Sequence, residues 1–221
     1  MLHRSLFSLL CPLLAIFYSP MGIAKEYQVQ FVDSDDQPVE FAVVVNPETP
    51  ASAQYIVKQP AVMDQINMQF SPMVIAVVKG QAVNFPNSDN IRHHVYSFSK
   101  ENRFETKLYA NKPDAPVLFE KSGLVVLGCN IHDSMVGYIF VSAWKNFAVS
   151  DGSGAASIEA IKAPRELEYW HPWSTTPNQI TSYEVKQWPQ QGPLIIRLTI
   201  NKPQPAEPQN SFKSGFGNYR R

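Results

Sequence analysis

The chain has 221 residues, 44% of them hydrophobic and 12% aromatic. That is enough apolar material for one β-domain of ordinary size and a smaller one, and too much for a disordered chain. Its 19 Lys and Arg balance 19 Asp and Glu, which argues against bulk electrostatic binding to nucleic acid or anionic membrane, while 10 Gly, 18 Pro and 2 Cys exclude collagen-like and disulfide-rich scaffolds.

Residues 1–24 read as a secretory signal peptide. His3 and Arg4 give a weakly basic start, residues 6–18 form a short apolar run, and Gly22-Ile23-Ala24 supplies small residues for cleavage after Ala24. The run falls short of the roughly 20 apolar residues a membrane span needs, and no second run of that length follows. The expectation is export to a bacterial periplasm without a membrane span. Cys11 leaves with the leader, so Cys129 becomes the lone thiol of the mature chain in an oxidising compartment.

Beyond the leader, helical periodicity is scarce. Residues 27–32 alternate polar and apolar, 33–37 form a polar turn, and 41–45 read as a second strand. Residues 46–62, with Pro47, Pro50 and Pro60, read as a connector. Strands follow at 70–78, 81–85, 94–98, 116–119, 124–127 and 136–141. A second β-rich stretch holds 147–149, the turn Asp151-Gly-Ser-Gly154, then 158–161, 167–170 and 194–200. Short strands at this spacing predict an all-β, Greek-key β-sandwich over 63–143 with a small additional β-rich segment over 144–200. Residues 25–62 supply N-terminal strands and a linker, strands that the second stretch could recruit into a small sandwich of its own. The tail over 201–221, rich in Pro, Gly and Asn, reads as disordered.

The chemistry concentrates in Gly128-Cys-Asn-Ile-His-Asp-Ser-Met135. Cys129, His132 and Met135 follow one another at intervals of three, which in a loop between strands lets thiolate, imidazole and thioether converge. A second imidazole is available upstream in Asn87-Ser-Asp-Asn-Ile-Arg-His-His-Val-Tyr96, from His93 or His94. Two His, one Cys and a weak axial Met are the donor set of a blue-copper electron-transfer site. Taken singly, each residue has a plain reading: an inert buried Cys, a core Met, a solvated His pair. His171, in Tyr169-Trp-His-Pro-Trp173, reads as a packed, hydrogen-bonded His. Haem-attachment, zinc-protease and phosphate-loop motifs are absent from the sequence, and 4 mature-chain His (93, 94, 132 and 171) are too few for the trinuclear cluster of a multicopper oxidase.

These segments resemble the cupredoxins, the small blue copper proteins. The matching residues are Val83-Asn-Phe-Pro-Asn-Ser-Asp89, His93-His-Val95 and Cys129-Asn-Ile-His-Asp-Ser-Met135, the last resembling the amicyanin loop. Phe85-Pro-Asn87, His93 to Phe98, Leu127 to Asp133 and Gly137-Tyr-Ile139 also look like the periplasmic methylamine-utilisation-type proteins. The resemblance implies copper held by His93, Cys129, His132 and Met135. It puts His94 where relatives carry an Asn that braces the ligand loops, and Ile131 where many carry Pro. An Ile there restores a backbone N–H that is expected to donate to the Cys129 sulfur.

The expected function is one-electron transfer by a monomeric, non-enzymatic copper protein, docking transiently with a dehydrogenase or a c-type cytochrome and with no nucleic-acid partner. Copper delivery through the same ligands, or an envelope-binding module with a structural metal, are the alternatives.

Overall fold

A computed structural model of the chain describes residues 23–48 and 59–203. Most of the expected leader and the tail from residue 204 lie outside the described residues. Every regular element among them is a strand. In chain order these are β1 (Lys25–Val32), β2 (Val43–Val45), β3 (Ala61–Val62), β4 (Asp64–Ile66), β5 (Gln69–Ser71) and β6 (Val74–Val78). There follow β7 (Ala82–Asn84), β8 (Val95–Ser97), β9 (Phe104–Glu105), β10 (Val117–Leu118), β11 (Gly123–Cys129) and β12 (His132–Ser142). The chain closes with β13 (Phe147–Val149), β14 (Ala155–Ala160), β15 (Glu166–Trp170), β16 (Thr181–Glu184) and β17 (Leu194–Arg197).

The strands build two sandwiches. In the first, a five-stranded sheet of order β6-β12-β11-β8-β9 faces the β10-β7-β3 sheet and the β4-β5 hairpin. Their inner faces bury one core around Met63, Phe85, Phe119, Leu127 and Ile139. In the second, β14-β1-β17 faces β13-β2-β15-β16, and the core holds Phe31, Val44, Ile158, Leu167 and Ile196. The alternation in β14 and β17 explains the second core directly, since every other residue there is buried and the rest face outward. β1 and β2 precede the first sandwich in sequence yet pair only with strands that follow it. The first sandwich is therefore nested within the second.

β12 departs from alternation because both of its faces are covered. Ile139 and Val141 point into the first core, while Phe140 and Tyr138 meet Val43, Val45 and Trp170 of the second sandwich. This third cluster joins the two bodies. Close approach also explains a glycine in β12: a Cβ on Gly137 would sit 2.8 Å from the Phe70 ring. The expected single strand 70–78 divides at Pro72 and Met73, because proline offers no N–H to the ladder.

His171 is packed and hydrogen-bonded, as its aromatic surroundings suggest. Its Nε2 donates to the Glu40 carbonyl at 2.9 Å and its Nδ1 accepts from the Trp173 N–H at 3.1 Å, so the ring is neutral. Burial lowers its pKa, opposed by the bond to Glu40 and aided by the charge on Lys202. A His with a lowered folded-state pKa stabilises fully above its unfolded value of about 6.5 and loses that contribution as pH falls below it. The expected result is that His171→Gln flattens the fall in stability between pH 7 and pH 5, read by urea denaturation at each pH. An unchanged slope would show that His171 does not drive it.

Candidate metal centre

The site forms where three elements of the first sandwich end together. β8 opens just after His93, whose backbone exchanges two hydrogen bonds with Tyr109, each 3.0 Å. Cys129 closes β11 and pairs with Val95 of β8 on one side and His132 of β12 on the other. Asn130 and Ile131 make the two-residue turn between them. Gly128 pairs with Val136 but Cys129 pairs with His132, so residues 133–135 are extra on β12. Such a bulge bends the strand and re-aims its side chains. It lets His132 and Met135 both turn toward the β11 end.

His93 and Cys129 are buried and His132 is half-buried. His93 Nδ1 lies 3.4 Å from Cys129 Sγ, and His132 Nδ1 lies 3.9 Å from the same sulfur. One ligand atom from each of the three falls within 4.8 Å of the others, and the two imidazole rings are 5.2 Å apart between centroids. Met135 is buried in the same core cluster as Cys129, and both line a cleft of about 390 Å³ with Gly128 and Val136. Cys129 is a free thiol. One soft sulfur and two imidazoles converging on a single point suit a copper ion, which these donors hold in either oxidation state.

His94 lies apart from this group. Its Nε2 contacts Glu105 Oε1 at 3.0 Å, because adjacent residues of an extended segment face opposite ways. Its backbone carbonyl accepts the Asn130 N–H at 3.2 Å. That bond ties the upstream loop to the Cys129 turn. The Ile131 N–H does not donate to Cys129 Sγ. Among the described residues, the polar atoms in contact with the sulfur are the Nδ1 atoms of His93 and His132.

Asp89 is a member of the site that the spacing of donors does not reveal. Its Oδ2 lies 2.8 Å from His93 Nε2 and accepts the Met68 N–H at 2.9 Å, while Oδ1 accepts the Asn67 N–H at 2.6 Å. Burial opposes its charge, but the bonds from Met68, His93 and Asn67 outweigh that and lower its pKa. Asn87 shapes the intervening loop, donating from Nδ2 to Ile91 O and Tyr109 O and accepting the Asp89 N–H. The sequence signal was an acidic residue four positions before His93, which has no meaning until the loop's path is known.

Neither a family model nor a curated protein matches the chain. Solved structures do. A reduced Cu(I) form of an amicyanin mutant is 19% identical, with 45% of this chain and 98% of that chain covered and a TM-score of 0.35. A purple cupredoxin from Nitrosopumilus maritimus is 23% identical over 37% of this chain and 99% of that one, with a TM-score of 0.33. A copper-containing nitrite reductase from Thermus scotoductus is 22% identical over 51% of this chain and 28% of that one, with a TM-score of 0.37.

Proposed function

We propose that the protein is a periplasmic one-electron carrier with a mononuclear type 1 copper site held by His93, Cys129, His132 and Met135. The observation that carries this reading is the convergence of His93, Cys129 and His132 on one buried point at the end of a β-sandwich. Copper, when bound, supplies the one-electron couple. The chain supplies the rest. Strands on either side of Cys129 fix its sulfur, the Tyr109 bridge fixes His93, and the buried core around them excludes water. A frame already set by the sheet needs little rearrangement when charge changes.

Half-buried His132 is the exit for the electron, because it is the most accessible of the three clustered donors. Exposed Ile131 (49%) and Val136 (38%) flank it and offer an apolar docking patch. Redox partners dock through small interfaces. A chain with no net charge relies on such a patch more than on steering, and a dehydrogenase or a c-type cytochrome is the partner this reading calls for. No helix of the described residues is long and apolar enough to cross a membrane. The resemblance to methylamine-utilisation-type proteins concerns sequence motifs, and the reading does not depend on methylamine.

The test is to express the chain from residue 25, add one equivalent of copper, and record visible and electron paramagnetic resonance spectra. The expected outcome is an intense absorption in the visible, a reversible one-electron couple and slow loss of metal to chelators. A colourless protein that exchanges copper within seconds would indicate delivery instead of electron transfer.

A further inference from the structure

His93 has two ring nitrogens with different neighbours. Nδ1 faces Cys129 Sγ and the other ligand atoms, whereas Nε2 faces the Asp89 carboxylate. An ionised carboxylate only accepts hydrogen bonds. Nε2 must therefore carry a proton. In a ring with a single proton this leaves the Nδ1 lone pair facing Cys129 Sγ and the other donors, the tautomer that a metal requires.

The carboxylate is itself held by three donors, the Asn67 N–H, the Met68 N–H and His93 Nε2. Its side chain is only 11% exposed. Among the described residues no Lys or Arg forms an ion pair with it. A negative charge bonded to a ligand's far nitrogen makes that ligand more electron-donating. Such a ligand favours the higher metal charge and hence the oxidised state.

We propose that Asp89 is a positioning residue: it orients His93 for metal binding and, through its charge, lowers the reduction potential of the centre. The effect on potential rests on the copper reading above, whereas the effect on His93 does not. Asp89 also caps the tight turn at Asn67 and Met68, both of which have positive φ. The turn joining β4 to β5 is thereby coupled to the ligand.

The experiment has a metal-free and a metal-loaded arm. In the metal-free protein, nitrogen NMR of the imidazoles is expected to show His93 as the Nε2–H tautomer, with that proton shifted downfield in wild type and less so in Asp89→Asn. An Nδ1–H tautomer in wild type overturns the proposal whether or not copper binds. In the copper-loaded arm, Asp89→Asn keeps an oxygen acceptor for Nε2 but removes the charge. Its coloured centre is expected to survive, with the couple displaced tenfold toward the reduced state, a rise of about 59 mV.

Asp64→Asn is the control. Asp64 sits on the same face and bonds Ser88 through its backbone N–H and its hydroxyl, but does not touch His93. It is expected to leave the potential unchanged. An unchanged potential in Asp89→Asn, or an equal rise in Asp64→Asn, overturns the proposal. A wild-type protein that forms no coloured centre counts against the copper site itself and leaves the NMR arm to decide the role of Asp89.

Discussion

Cys129→Ser is expected to abolish the intense visible absorption of the copper-loaded protein and its reversible couple. The sulfur is the donor nearest both imidazoles, at 3.4 and 3.9 Å from their Nδ1 atoms. A serine oxygen is a hard donor and remains protonated where a thiol ionises. It cannot provide the covalent sulfur bond on which a strong visible band depends. The substitution is nearly isosteric at a buried position. Leaving a hydroxyl without a strong partner costs about 1–3 kcal/mol, a modest loss for a chain of this size. His94→Ala is the matched control and is expected to retain the band, because its imidazole is engaged with Glu105. If Cys129→Ser kept the colour, or if His94→Ala lost it, the assigned ligand set would be wrong.

Trp170→Ala is expected to be the most destabilising single change at the junction of the two sandwiches. Trp170 is buried, its ring lies 5.8 Å from Tyr138 and 6.2 Å from Phe140, and its Nε1 donates to the Pro177 carbonyl at 2.6 Å. Truncating a buried Trp typically costs about 3–5 kcal/mol. In a protein of this length, that corresponds to a fall of roughly 10 °C in Tm. Trp170 joins β15 of one sandwich to β12 of the other, so the loss should fall first on their coupling. Calorimetry is expected to show one transition in wild type and two separated ones in the variant. A single transition at the wild-type Tm would show that Trp170 is not the joint. The coloured copper centre should persist in Trp170→Ala, since the ligand residues belong to the first core.

The all-β class was legible because most of the longer strands carry short apolar or alternating runs bounded by turn residues. Residues 27–32 alternate in the sequence and fall within β1, while the apolar run 147–149 and the run 167–170 appear as β13 and β15. β3, β9 and β10 have two residues each, and β4 has three with an exposed Ile66. Such pieces carry too little pattern, and only β10 fell within an expected strand. β12 extends back to His132 because a bulge, invisible in composition, lets the strand absorb residues 133–135. The chemical type and spacing of His93, Cys129 and His132, the three residues the structure brings together, were legible in the sequence. The choice between His93 and His94 needed the strand phase, which the backbone bridge to Tyr109 sets. Asp89 was hidden because its role depends on a loop closed by Asn87 and on a turn some twenty residues upstream. An N–H from Ile131 was expected at the Cys129 sulfur, but among the described residues the sulfur meets only the two imidazoles.

The order in which the chain emerges from the ribosome bears on the nested connectivity. Among the described residues β1 finds its neighbours in β14 and β17, so it waits for strands made more than a hundred residues later while its Val29 and Phe31 lack cover. The body with the candidate metal centre, by contrast, has all its strands once residue 142 is out. Assembly therefore proceeds from the middle outward. Throughout that interval the apolar face of β1 and both of its edges stay uncovered, so the stretch 25–32 is where the half-made chain is most open to misplaced pairing.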